Sequence, residues 1–403
     1  MKKIANPKIN NINGIEISSA YSGMYKKERF DLSLMKFDEK SSVAGVFTKN
    51  KVKSAAVYFS QKNLIYSKPK YLIVNAGNAN AGTGEVGYRD MIKYCKVLAD
   101  LASCSINEIL VCSTGVIGER IKSDNICKSI PELLLNLNSN NWVNFSKSIL
   151  TTDKKNKILS NKFLLKDKII SITGVAKGSG MIMPDMATML SFVATDLIIN
   201  KKTLNSLLKK ITDISYNMIT VDSDTSTNDS SILIATGKSK INYSSLSLKE
   251  KKIFFDNLKK IYQGLAIKII EDGEGATKLI QIDVKNAKTT SDAKKIAMAI
   301  ANSPLVKTAI FAEDPNWGRI LAAIGKADTT NKLLPAIKIY LGKILVYKND
   351  KLFPKYNESA AKKYLKNKNI NIIIDYNSGK QNVTVWTSDL SYEYIKINAN
   401  YRT

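Results

Sequence analysis

Threonine can act as an acyl-transfer nucleophile when it is the first residue of a chain, because its α-amine then lies within reach of its own hydroxyl. One stretch of this 403-residue sequence suits that outcome: Gly174 to Asp196 reads GVAKGSGMIMPDMATMLSFVATD. Lys177, Gly178 and Gly180 form a glycine-rich turn, Pro184 follows, and Ala187-Thr188 lead directly into an apolar run that reads as a buried strand. A cut between Ala187 and Thr188 frees an amine of a type that titrates at about 7.7 to 8.0 in model compounds, near working pH. The sequence contains no histidine, which excludes Ser-His-Asp and Cys-His catalysis and HExxH zinc sites. Acid–base work therefore falls to carboxylates, lysines, tyrosines or an α-amine. The spacing alone equally admits Met181, Met183, Met186 and Met189 as core filler and Thr188 as an ordinary strand threonine. A second stretch, Thr236-Gly237-Lys238-Ser239, ends like a phosphate-binding loop, but Ile232 stands where that motif needs glycine, so no nucleotide site is expected.

Such residues need regular elements to hold them. Strand-like runs recur at Tyr71 to Asn75, Ile109 to Cys112, Lys168 to Thr173, Met189 to Thr195, Ser231 to Ala235 and Leu279 to Val284. Leu204, Leu207, Leu208, Ile211, Ile214 and Met218 follow a helical period, and Leu248 to Ile270 reads as a long amphipathic helix. Near the end, Ile370 to Tyr376 and Val383 to Thr387 around Asn377-Ser378-Gly379 read as a β-hairpin, followed by a further strand at Tyr394 to Ile397. The expected class is α/β, or α+β with mixed sheets, and the length allows about two or three domains. The lysine-rich stretches Asp153 to Lys157 and Lys348 to Lys355 read as surface loops.

Composition narrows the function classes. Lys and Arg number 61 against 35 acidic residues, a net charge of +26, yet only Arg29, Arg89, Arg120, Arg319 and Arg402 supply the planar fork favoured for phosphate and base contacts. The excess reads as lysine-biased surface, and a basic RNA-binding protein stays a weak rival. Cys95, Cys104, Cys112 and Cys127 include no CxxC pair and read as reduced thiols, with Cys95 on an apolar helical stripe with Met91, Leu98 and Ala102. The N-terminus lacks the apolar core of a signal peptide, and no apolar run is long enough to span a membrane, so a soluble cytoplasmic protein is expected.

The segment GSGMIMPDMATMLSFVATD resembles the self-cleavage segment of the ornithine acetyltransferase family, arginine-biosynthesis enzymes that are often bifunctional glutamate N-acetyltransferases. The resemblance runs through AGVFTKNKVKSA at 44–55, VNAGNANAGTGE at 74–85, STGVIGER at 113–120, LTTD at 150–153, NMITVDSDTSTND at 217–229, EDGEGATK at 271–278, EDPNWGRILAAIG at 313–325 and INANYRT at the C-terminus. It departs at Met183-Pro184-Asp185, where the family has His-Pro-Asn, and at Gly82, where the family has Cys.

The resemblance implies a self-processing fold of layered sheets and helices, cut into an α chain of residues 1–187 and a β chain of residues 188–403 that associate as a heterotetramer or larger. It makes Thr188 the nucleophile and Thr114 with Gly115 the oxyanion hole, each donor of which is typically worth about 3 to 4 kcal/mol. It assigns substrate binding to Thr151, Lys177, Thr188, Glu274, Asn398 and Thr403. The implied reaction moves acetyl from N2-acetyl-L-ornithine to L-glutamate through acetyl-Thr188, without metal or prosthetic group, and leaves acetyl-CoA open as a second donor. A site serving both substrates needs a cation, an anion and neutral hydrogen-bonding groups, so Lys177 is expected to face a carboxylate and Glu274 an ammonium. The rival within the same chemistry is an amidase or aminopeptidase that uses water as acceptor.

Overall fold

In the computed structural model, which describes residues 9–183, 189–330 and 337–400, the apolar runs of the sequence become strands of three sheets. The chain divides into two units. The first holds the described residues of 1–178, 184–217 and 224–269, and the second those of 179–183, 218–223 and 270–403.

The first unit has two sheets. One runs in the order β1 (Ile15–Ala20), β2 (Leu32–Phe37), β4 (Tyr71–Asn78), β5 (Ile109–Val116). The other runs β3 (Ser42–Phe47), β10 (Ser230–Ala235), β8 (Leu190–Thr195), β7 (Lys168–Lys177), β6 (Lys157–Leu165). Successive strand residues point to opposite faces, and β4 and β5 use both. Leu72, Val74, Leu110 and Cys112 join Val175, Phe192, Ile232 and Ile234 of the second sheet in one core. Tyr71, Ile73, Ile109 and Val111 face Met91, Tyr94, Cys95 and Leu98 of the helix Gly84–Leu101. The outer face of the five-stranded sheet is covered by the helix Leu248–Glu271, with Phe163 of β6 against Phe254 at 6.3 Å and Asn161 hydrogen-bonded to Asn257 at 2.7 Å. The unit is therefore layered helix, sheet, sheet, helix, as the resemblance implied.

Strand β8, which follows the expected cut, has all six residues buried. It runs parallel to β10 and antiparallel to β7, with Leu190 opposite both Ser230 and Lys177. A strand covered on both faces needs a near-continuous apolar run, and LSFVAT approximates one, with buried Ser191 hydrogen-bonded to the Tyr216 hydroxyl.

The second unit is built on a seven-stranded sheet ordered β14 (Lys351–Leu352), β13 (Ile344–Lys348), β12 (Lys338–Leu341), β15 (Asn369–Asp375), β11 (Leu279–Ala287), β16 (Gln381–Ser388), β9 (Ile219–Thr220). Ile296, Ala297 and Ile300 of the helix Thr290–Ala301 share a buried cluster with Ile280, Ile282, Val284, Ile372 and Ile374.

Two expectations fail in this unit. The strands expected to form a hairpin exist as β15 and β16, but β11 lies between them, parallel to β15 and antiparallel to β16. Their connection wraps the end of β11, where the amides of Tyr376, Ser378 and Gly379 donate to Lys285 and Asn286 carbonyls. The expected strand at Tyr394 to Ile397 is instead part of the helix Tyr392–Ala399, capped by Ser391, whose side chain accepts from the Glu393 amide. A cap and an acidic first turn outweigh the aromatic and β-branched content of the segment.

Candidate active site

Thr114 and Gly115 close strand β5 at an irregularity, where Asn78 of β4 pairs with both Thr114 and Val116. Gly115 has φ +135°, and a Cβ there would lie 2.2 Å from the Gly77 carbonyl carbon. Only glycine permits that approach, and it leaves the backbone beyond buried Thr114 partly open. The neighbouring carbonyls are fixed by Asn228, whose side-chain amide donates to Ser113 at 2.9 Å and to Ala79 at 2.5 Å.

Lys177 ends β7 and is almost fully buried. Its ammonium donates to the hydroxyls of Thr114 and Thr151, each at 3.0 Å. Three of the expected residues thus form one cluster in the first unit. A buried ammonium needs carboxylate charge nearby, and Asp153 provides it. Oδ1 of Asp153 accepts from Lys157 at 2.6 Å and from the Gly178 amide at 2.7 Å, while Oδ2 accepts from the Thr151 amide at 3.1 Å. Burial by itself would push this carboxyl up, but the Lys177 and Lys157 ammoniums and the Gly178 amide overcome it and hold Asp153 down to about 2. The ends of the stretch expected as a surface loop are therefore buried: the side chains of Asp153 and Lys157 are 0% and 1% exposed. Lys348 to Lys355 is mostly exposed, as expected, but is not all loop: Lys348 ends β13 and Lys351–Leu352 form β14, which pairs back on it.

Asp229 is a second buried carboxyl beside this cluster. Burial pushes it well above the usual carboxylate range, against the pull of Ser226, Lys177 and the Met189 amide. Its Oδ2 has no hydrogen-bond partner among the described residues. The amide next along, Ser230, donates to the Met189 carbonyl at 2.9 Å, so Asp229 belongs to the strand end that faces the start of β8.

Glu274 and Asn398 meet in the second unit, where the Asn398 side-chain amide donates to Glu274 Oε2 at 2.9 Å. Glu274 is buried and Asn398 exposed. The helix bearing Asn398 is anchored beside Glu274, since Ser391 Oγ donates to the Gly275 carbonyl at 2.6 Å. Ala187, Thr188 and Thr403 lie outside the described residues. Met189 is buried, whereas Met181 is 41% exposed and is not core filler.

The cysteines fit the sequence expectation: all four are free thiols, and Cys95 is packed with Met91 and Leu98. The Thr236 to Ser239 stretch is a turn after β10 in which Lys238 pairs with Asp38. No helix among the described residues is long and apolar enough to cross a membrane. Asp153, Asn228 and Asp229 carry no sequence signal of their own as site residues, although each sits in a segment that matches the ornithine acetyltransferase pattern.

Comparison with known proteins places the whole chain in one family. The profile of the ArgJ family matches residues 16–403. The arginine biosynthesis bifunctional protein ArgJ of Caldanaerobacter subterraneus subsp. tengcongensis is 42% identical over 404 residues, covering 100% of both chains. The protein of the same description from Bartonella quintana is 41% identical over 397 residues, covering 97% of this chain and 96% of that one. Among solved structures, arginine biosynthesis bifunctional protein argJ from Bacillus halodurans matches at 38% identity with a TM-score of 0.51, covering 53% of this chain and all of that chain.

Proposed function

The chain belongs to the ArgJ family, and from that premise we propose that it is the acyltransferase of arginine biosynthesis that moves acetyl from N2-acetyl-L-ornithine to L-glutamate. The observation that carries this reading is the buried cluster of Lys177, Thr114 and Thr151, at the strand end paired with Leu190, two residues after Thr188.

The precursor cuts itself first. The Thr188 hydroxyl oxygen attacks the Ala187 carbonyl carbon, the peptide C–N bond breaks as the nitrogen takes up a proton, and water hydrolyses the resulting ester. In the mature enzyme the freed amine accepts the proton of the Thr188 hydroxyl while its oxygen attacks the acetyl carbonyl of the donor. Thr114 and Gly115 donate to the oxyanion. Collapse of the intermediate expels ornithine, whose amine regains the proton, and leaves acetyl-Thr188. The glutamate amine then attacks that ester, returning a proton to the threonine oxygen and releasing N-acetyl-L-glutamate.

Lys177 meets a substrate carboxylate, Glu274 the ornithine side-chain ammonium, and Thr151, Asn398 and Thr403 complete the hydrogen bonding. The relatives' description as bifunctional supports acetyl-CoA as a second donor. The working enzyme is a cytoplasmic assembly of both chains.

Denaturing gels with N-terminal sequencing test the scheme. The expected fragment begins Thr-Met-Leu-Ser-Phe and is absent in Thr188→Ala; an uncut chain with full transfer activity refutes the nucleophile. Release of free acetate in place of acetylglutamate would instead mark a hydrolase. A Glu274→Gln variant that keeps its KM for acetylornithine overturns the ammonium assignment.

A further inference from the structure

The second unit grips the five residues Ser179–Met183, which lead into the expected cut. The Glu274 amide donates to the Ser179 carbonyl at 2.8 Å, and the Val221 amide donates to the Ile182 carbonyl at 2.7 Å. Gly180 lies so close to Glu274 that a Cβ would fall 2.3 Å from its carboxylate oxygen. Between these points Asp222 accepts two consecutive backbone amides, Met181 at 2.7 Å on Oδ2 and Ile182 at 2.8 Å on Oδ1.

Met181 adopts a left-handed backbone with φ +56°, a conformation unfavourable for a non-glycine residue that persists only where its surroundings hold it. Its side chain is too exposed to supply that through packing. The paired bonds to one carboxylate do supply it, because charge-assisted hydrogen bonds are the strong ones. The same carboxylate takes a third contact, from the Tyr394 hydroxyl at 3.3 Å, on the helix that carries Asn398.

We propose that Asp222 is the positioning residue of self-cleavage: by holding the Met181 and Ile182 amides it fixes the direction in which the chain enters the cut. The inference rests on the self-cleavage reading above. Asp222 acts through the backbone of the entering arm, which stays bound as the end of the first chain once the cut is made. An N-to-O acyl shift needs its attacking oxygen and carbonyl in near-attack geometry, and misplacement by about 1 Å costs roughly 100-fold in rate.

The test is a pulse-chase of chain made by cell-free translation, following conversion to the two fragments on denaturing gels. Asp222→Asn presents an amide nitrogen where one backbone N–H needs an acceptor, so it is expected to slow cutting by about 10- to 100-fold. Asp222→Glu, which keeps the carboxylate, restores part of that rate. The cut fraction of Asp222→Asn, once isolated, shows a kcat reduced far less than its cleavage rate. A purely structural role predicts the two falling in step, and that result overturns the proposal, as does cutting of Asp222→Asn at the unmutated rate. Thr188→Ala in the same series separates the two layers of argument. If it stays uncut while Asp222→Asn cuts normally, only the clamp is lost; if it is cut, the self-cleavage reading fails and takes the clamp with it.

Discussion

Replacing Asp153 with Asn removes the carboxylate around which the first unit's cluster is organised. Its pKa falls from 3.8 to about 2 in the folded chain, and at 1.36 kcal/mol per unit that difference is worth about 2 kcal/mol of stability at neutral pH. Deleting one partner of a buried pair typically costs about 3 to 5 kcal/mol, so Asp153→Asn is expected to lose about 2 to 5 kcal/mol. The sign follows from a folded pKa lying below the unfolded one. The contribution is complete above the unfolded value of 3.8 and disappears as pH falls toward 2, so the gap between wild type and variant shrinks to roughly half at pH 3. Urea unfolding reports it through Trp142, fully buried in the first unit's core, in a Trp317→Phe/Trp386→Phe background so that no other tryptophan contributes. Adding Lys157→Met to Asp153→Asn removes the ammonium stranded by the first change and should recover part of the loss. A deficit under about 0.5 kcal/mol at pH 7, the range of ordinary surface substitutions, refutes the argument. So does a deficit that does not change between pH 7 and pH 3.

Other perturbations follow the same logic. Gly115→Ala forces a Cβ to 2.2 Å from the Gly77 carbonyl carbon at φ +135°; it should lose acetyl transfer or fail to accumulate as soluble protein, and a wild-type transfer rate would show that the β5 end is not held as described. Burial lowers Lys307 from 10.5 to about 8, against the raising influence of Asp389 and Asp222. A folded pKa below the unfolded one means stability rises as pH goes from about 8 to 10.5, by roughly 3 kcal/mol. Lys307→Met should lack that rise in pH-dependent urea melts, and an unchanged profile contradicts it. Cys95 and Cys112 are buried, with the Cys112 thiol pushed up to about 12 by burial. A thiol reagent at pH 8 should reach Cys104 and Cys127 at most in the native chain and all four cysteines in denaturant; rapid labelling of Cys112 in native protein would contradict the packing.

Much of the fold was legible because most strands are buried on at least one face and announce themselves as apolar runs. Tyr71 to Asn75, Ile109 to Cys112 and Ser231 to Ala235 all lie within strands, and the helix expected over Leu248 to Ile270 runs to Glu271. Pairing was less legible than existence. Ile370 to Tyr376 and Val383 to Thr387 are joined by a turn-like sequence, yet β11, from about a hundred residues earlier, takes the place between them. Nothing local encodes that insertion, since both alternatives bury the same faces. Around Tyr394 to Ile397, Ser391 followed by Glu393 is a helix-start signal in the sequence, and it outweighs the β-branched and aromatic residues there.

The site divides in the same way. Thr114, Thr151 and Lys177 come from distant segments of the first unit, and only the resemblance grouped them. Asp153 shows why residue type alone misleads: a carboxylate within a lysine-rich stretch reads as solvated surface until the fold turns it inward against Lys157 and the Gly178 amide.

The order of strands in the five-stranded sheet bears on the protein's whole lifetime. Strands β6 and β7 precede the expected cut, and β8 and β10, with which they share a sheet, follow it. An uncut chain finds these pairings within a single molecule, at the high effective concentration of a covalent tether. Two fragments have to meet by diffusion before β8 can slot between β7 and β10. The proposed cut would therefore turn folding into a second-order process: the precursor could refold from denaturant at any dilution, while the cut enzyme would recover only as its concentration allows. In that scheme the nucleophile is made once, by a chain that must already be folded, and the fold that made it is then held together by interface alone.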